Sequence, residues 1–237
     1  MKDENTKVQH QSRYTGKKNA LVGCVLVAHP DDETIWAGGT LLMHPEWQWT
    51  VVSLCRASDL DRAARFRRAA EILGVNCTMA DLDDGPEQAA LSEHLIQQTV
   101  ISLLPSTQFD IILTHSPFGE YTRHRRHEEI GSAVGNLWTT REIHSHAMWM
   151  FAYQDSGRGG KGDPPAPIAT AHQRLVLPEH IWLKKYQVIT GIYGFAPESY
   201  EAEIVQRKEA FWRFTNPVEY ESWLKSQRRE YESTRSL

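Results

Sequence analysis

Two short stretches concentrate the residue types that do chemistry. The first is His29-Pro30-Asp31-Asp32-Glu33, an imidazole and three adjacent carboxylates closing an apolar run, Leu21–Ala28. The second lies in THSPFGEYTRHRRHEEIG, residues 114–131, where His124 and His127 stand three apart. Adjacent acids repel one another, and in a dry site they need a compensating cation. Helix capping explains some of them, because a helix N-terminus favours Asp and Glu and tolerates Pro in its first turn. Capping gives no role to His29. Two histidines and one carboxylate meeting from separate segments would make a three-ligand site with open positions, the form in which catalytic zinc is commonly held. A single inward histidine is more often a hydrogen-bonded core residue than a ligand. Convergence of several such groups at one edge is what favours the metal reading.

The elements that must position these groups follow from hydrophobic periodicity. Leu21–Ala28, Thr50–Cys55, Asn76–Ala80, Asp110–His115 and His144–Ala152 read as strands, and Ile168–Leu177 as a further one. Leu60–Gly74 reads as a helix, with Phe66, Ala69, Ala70 and Leu73 on one face and Gly74 placed to end it. Ser92–Leu104 reads as a second, stopped by Pro105. His127, Ile130, Val134, Leu137 and Trp138 form an inward stripe, and Tyr200–Phe214 and Glu219–Glu230 are expected to be helices packing back on the domain. Alternating strands and helices predict an α/β, Rossmann-like three-layer fold with a mostly parallel central sheet. In such sheets ligands sit at the carboxyl ends of the strands. Both chemical stretches follow predicted strands, so both should fall on that edge.

Bulk properties exclude some functions. A 237-residue chain with 41% hydrophobic and 24% charged residues is ordinary for a globular domain. A formal charge of −4 argues against a nucleic-acid partner. No run approaches the roughly 18 apolar residues of a membrane span. Residues 1–20 are polar, lack the apolar segment of a secretory signal, and are expected to be a flexible tail. Residues 21–237 are expected to form one domain, with 168–237 as its less diagnostic portion. SGRGGKGDPPAP, residues 156–167, reads as a surface loop, since the phosphate-loop motif is absent. Cys24, Cys55 and Cys77 form no CxxC pair and sit in apolar runs, as buried thiols in a reduced, cytoplasmic setting would. The oligomeric state is left open.

AHPDDE after an apolar strand, followed by GGTLL, resembles the PIG-L/LmbE-like family of zinc-dependent N-deacetylases. HRRH after a strand ending in TH, Arg62, AAEILG at 69–74 and LDDG at 82–85 extend the resemblance over roughly residues 21–152. The resemblance implies zinc ligation by His29, Asp32 and His127. It implies Asp31 as general base and His124 as general acid or oxyanion stabiliser. The implied reaction is water attack on the amide of an N-acetylglucosamine-type sugar or glycoconjugate, releasing acetate. Glu33 is expected to cap the helix or accept from His29. Arg62 is expected near the pocket, as the nearest of an Arg62, Arg65, Arg68 row that is either a solvated face or an anion clamp. Trp36 is expected either to stack on a sugar ring or to pack in the core. Gly38 and Gly39 inside a helix imply close packing against the sheet. Arg126 stands where family members often carry Asp. That departure keeps open a catalytically altered metal- or sugar-binding member. A two-His, one-carboxylate set also serves Fe(II) oxygenases, and other divalent metals suit such a site.

Overall fold

The computed structural model of the chain describes residues 20–120, 124–154 and 164–234. The expected tail lies outside the described residues apart from Ala20, as does the 156–163 part of the expected loop.

Five runs rich in β-branched and aliphatic residues form parallel strands: β1 (Val22–Val27), β2 (Gln48–Cys55), β3 (Asn76–Leu82), β4 (Gln108–Thr114) and β5 (His144–Phe151). They lie in the order β3-β2-β1-β4-β5. The connecting helices are α1 (Asp32–Met43), α2 (Leu60–Leu73), α3 (Glu93–Leu103) and α4 (Arg125–Thr139). Two of them, α2 and α3, start or stop on the signals read from the sequence. The Asp59 carboxylate accepts from Arg62 N–H at the start of α2, Gly74 closes it, and the Ser92 hydroxyl accepts from Leu95 N–H at the start of α3.

Side chains alternate along a strand, so β1 feeds two cores. Cys24 and Leu26 pack with Ile96, Val100, Ile130 and Val134 of α3 and α4. Val25 and Val27 pack on the other face with Ile35, Trp36, Phe66 and Ala69 of α1 and α2. This is the three-layer arrangement that the periodicity predicts. Its consequence for function is local: β1 and β4 are neighbours whose following helices go to opposite faces. Such a point opens a crevice at the carboxyl ends of the two strands.

The C-terminal third departs from expectation. A short pair, β6 (Tyr153–Gln154) and β7 (Ala166–Pro167), follows β5, and the expected strand over 168–177 narrows to β8 (Gln173–Val176). Helix α5 (Glu179–Gln187) runs into a π-helical turn, Val188–Ile192. The expected helix over 200–214 is one turn only, α6 (Tyr200–Glu203). Its remainder is β9 (Lys208–Phe214), antiparallel between β5 and β8. Glu209 to Trp212 are all buried, as an internal strand requires, and a short continuous apolar run carries no period to tell strand from helix. Helix α7 (Pro217–Thr234) covers the expected last helix.

Strand β9 also explains Gly39 in α1, whereas a Cβ on Gly38 would meet Lys185 of α5 and Thr34 at 3.3 Å. A Cβ on Gly39 would lie 2.4 Å from Leu177 and 2.8 Å from a Glu209 carboxylate oxygen. Glu209 accepts hydrogen bonds from the Gly39 and Thr40 N–H groups, from the Thr40 hydroxyl and from Lys185 Nζ, all at 2.7–2.8 Å. The close approach is real, and its partners are β9 and the residue after β8.

Candidate metal and catalytic site

Strand β1 delivers the first group. Beyond Val27 the chain turns through His29, Pro30 and Asp31 and enters α1 at Asp32. Asp31 has φ 115°, a region that residues with a side chain rarely adopt. Its N–H donates to Glu33 Oε2 at 3.0 Å, its carbonyl accepts from Thr34 and Ile35 N–H, and its carboxylate takes Arg62 Nη1 at 3.0 Å. Such a conformation costs on the order of 1–3 kcal/mol and persists where the surroundings over-determine it.

Strand β4 and helix α4 deliver the second group. His115 follows β4, and His127 lies in the first turns of α4. A Cβ on Gly131 would lie 2.6 Å from the His115 carbonyl oxygen, so a bare α-carbon one turn after His127 lets α4 approach that backbone. The His127 ring consequently stacks on His115, with centroids 3.9 Å apart.

The two groups meet in a triangle. His29 Nδ1, Asp32 Oδ2 and His127 Nε2 stand 3.3 Å from one another along all three edges. Ligands bonded at about 2.0–2.1 Å to one tetrahedral ion are separated by roughly 3.3–3.4 Å. The three atoms therefore fit one small divalent cation without rearrangement. His127 Nδ1 faces Glu120 Oε2 at 2.7 Å, which turns Nε2 toward the triangle. Asp32 is held through its other oxygen by Trp36 Nε1 at 3.2 Å. His29 Nε2 lies 3.3 Å from Asp84 Oδ2 but makes no hydrogen bond.

Two further histidines border the triangle. His115 Nε2 is 3.4 Å from Asp32 Oδ2, and Asp32, His115 and His127 form a second three-ligand group by distance alone. His115 Nε2, however, accepts from Ala28 N–H at 3.0 Å, and its Nδ1 faces Glu120 Oε1 at 3.1 Å. Burial opposes charge on this ring, while Glu120 and Asp32 favour it. The Ala28 N–H needs a lone pair on Nε2, so we read the ring as the neutral Nδ1–H tautomer, braced by Glu120 rather than ligating. Glu120 itself is buried yet held down to about 2 by the two histidines. His124, the residue before α4, groups with His29 and His127. Burial and the two neighbouring imidazoles lower it to about 4, which leaves it neutral. Gln88 Nε2 lies 3.2 Å from His124 Nε2. With the amide donating, the His124 proton sits on Nδ1, which is buried and has no partner among the described residues.

Asp31 is the remaining acid. Burial and the adjacent Asp32 charge push its carboxyl well above the usual range, with Arg62 opposing. His29, Asp31, Asp32, His124 and His127 line one cavity of about 410 Å³, with Trp36, Arg56, Arg62, Asp84, Tyr200 and Glu201 among its other walls.

The structure brings together His29, Asp31, Asp32, His124, His127 and Arg62. It gives other expected residues work of their own. Of its two expected roles Glu33 takes the one at the helix start, accepting from the N–H of Asp31, the N-cap residue of α1, as well as from Tyr193 OH and the Thr34 hydroxyl, and not the one at His29. Trp36 is 1% exposed, packs against Tyr153 and Phe151 while also lining the cavity, and its N–H donates to Asp32. The arginine row is no clamp: Arg65 pairs with Asp61 and donates to the Ile192 and Tyr193 carbonyls, and Arg68 pairs with Glu71. Arg126 is wholly buried and turned away from the triangle toward residues 83–89. The cysteines take no part in either three-ligand group. Glu120, Asp84 and Gln88 are contributions that sequence spacing did not single out; each lies on a loop without periodic signal, and only LDDG hinted at one of them.

Residues 24–138 match the family model described as PIG-L: GlcNAc-PI de-N-acetylase. No curated protein sequence matches the chain. Among solved structures it is similar to the N,N'-diacetylchitobiose deacetylase from Pyrococcus horikoshii, at 14% identity over 86% of each chain with a TM-score of 0.63. It is similar to GalB, the 4-carboxy-2-hydroxymuconate hydratase from Pseudomonas putida KT2440, at 18% identity over 79% of this chain and 83% of that one, TM-score 0.53. The zinc-inhibited form of teicoplanin deacetylase Orf2 matches at 11% identity over 77% and 84%, TM-score 0.51. At these identities the likeness establishes the fold.

Proposed function

From the match of residues 24–138 to the PIG-L family model we propose that the chain is a metal-dependent hydrolase that removes an N-acetyl group from an N-acetylglucosamine-type sugar or glycoconjugate. The observation that carries the reading is the 3.3 Å triangle of His29, Asp32 and His127 beside the strained, half-buried Asp31. In this reading those three residues hold zinc or a similar divalent ion. When bound, such an ion acts as a Lewis acid and brings the pKa of water to about 7.

The chain's own groups then divide the work. Asp31, with its raised carboxyl, is the base that takes the proton of the attacking water. Arg62 fixes the orientation of that carboxylate. His124 is neutral and serves as a hydrogen-bond donor through Nδ1 to the oxygen that gains charge, rather than as a charged acid. Glu120 orients His127, and the Trp36 indole orients Asp32. The pocket, at about 410 Å³, lies within the range of small-molecule sites. No helix among the described residues is long and apolar enough to cross a membrane.

A panel of N-acetylated glucosamine derivatives, assayed for acetate with and without a chelator, tests the proposal. Acetate release that stops with chelator supports it. Release from no member, or hydration of an unsaturated acid instead, as the likeness to a hydratase invites one to check, overturns it.

A further inference from the structure

Arg126 stands between the two site histidines in sequence and is 0% exposed, an arrangement that costs stability unless every donor is used. All three of its nitrogens donate, two of them to one loop. Nε donates to the Asp83 carbonyl at 2.5 Å, Nη2 to the Ala89 carbonyl at 2.6 Å, and Nη1 to Glu129 Oε2. Glu129 Oε1 in turn accepts from Leu91 N–H at 3.2 Å. One Arg–Glu pair on α4 thus grips the 83–91 loop at three backbone points.

The gripped loop reaches the site twice. Asp84 Oδ2 lies 3.3 Å from His29 Nε2 and pairs with Arg56 Nη2 at 2.6 Å. Gln88 meets His124, and does so from φ 43°, a left-handed backbone unusual for a side chain of its size. That conformation sits between the Asp83 and Ala89 anchors, where a guanidinium fork can over-determine it.

We propose that Arg126, with Glu129, is a positioning residue. It clasps the 83–91 loop to α4 and so sets Asp84 against His29 and Gln88 against His124. The proposal rests on His29 being a metal ligand only for its effect on metal affinity; the clasp itself is independent of that reading.

The test compares the full chain with Arg126→Met and Arg126→Lys, alone and combined with Asp84→Asn. Two properties are read, amide hydrogen exchange over residues 83–91 and zinc affinity of the metal-free protein by titration. Arg126→Met is expected to raise loop exchange at least tenfold while α4 stays protected, and to weaken zinc binding about tenfold, the scale of an outer contact to a ligand. Arg126→Lys keeps one anchor and falls between. Asp84→Asn alone weakens zinc, and in the Arg126→Met background adds little, because the loop is already loose. Arg126→Lys carries the same comparison should Arg126→Met fail to fold. Unchanged loop exchange, or an Asp84→Asn effect of equal size in both backgrounds, overturns the proposal. A wild-type protein that binds no zinc defeats the metal reading instead, and loop exchange then decides the clasp alone.

Discussion

Two buried polar clusters flank helix α1, and they are built to opposite rules. At its C-terminal half, Glu209 accepts four hydrogen bonds, from two backbone N–H groups, a hydroxyl and Lys185, in a wholly buried setting. At its N-terminus, Asp31, Asp32 and Glu33 crowd together with His29 and His127, and two neighbouring ring nitrogens, His29 Nε2 and His124 Nδ1, make no hydrogen bond among the described residues. The first cluster satisfies itself and fastens α1 to β9. The second leaves those two ring nitrogens without a partner and turns three acceptor atoms toward one point, in a geometry matched to one cation. Saturation marks a structural polar cluster, and acceptors converging on one point mark a chemical one.

Substitutions in the two clusters should therefore fail in different ways. The largest effect belongs to Asp31→Asn, expected to lower kcat for acetate release by roughly 10²–10⁴, the usual weight of a general base, while zinc affinity is retained. Steady-state kinetics beside a zinc titration separates the two; loss of zinc together with activity would assign Asp31 to the metal instead. Glu209→Ala removes one partner of a buried pair and strands Lys185, and should lower stability by about 3–5 kcal/mol. Denaturant unfolding measures that loss, and zinc affinity should stay near that of the wild type. An intact fold with weakened zinc would erase the contrast between the clusters.

The two clusters were not equally legible in the amino-acid sequence. His29, Asp31, Asp32 and His127 could be read because they abut strand tips and a helix start, where topology alone puts them on one edge. The mostly parallel sheet was legible from the alternation of strands and helices, and α2 and α3 from their local caps and periods. Glu120 was not, since it acts from an irregular loop and bonds His115 and His127 only after β4 and α4 have packed. Glu209 was hidden by β9, whose apolar run reads equally as helix or strand until β5 and β8 enclose it. Arg126 was visible as a departure, but its direction depends on carbonyls of a loop more than thirty residues away in sequence.

Smaller effects sharpen the comparison further. Glu120→Gln keeps the size of the side chain but weakens its hold on His127, and is expected to reduce zinc affinity 10–100-fold with the fold intact. Circular dichroism and a zinc titration check this; unchanged affinity would make Glu120 a partner of His115 alone. Gly131→Ala forces a Cβ to within 2.6 Å of the His115 carbonyl. It should cost about 1–3 kcal/mol by overpacking and move His127 with it, so that unfolding and acetate release both register the change.

The central claim is that His29, Asp32 and His127 form one divalent-metal site on which amide hydrolysis depends. Its most direct test is acetate release from an N-acetylglucosamine derivative by metal-free protein as zinc is added stepwise. The account predicts no release without metal and a rise that levels off at one zinc per chain, absent in Asp32→Ala. Hydrolysis that proceeds at full rate in the metal-free protein, or that survives in Asp32→Ala, would contradict it.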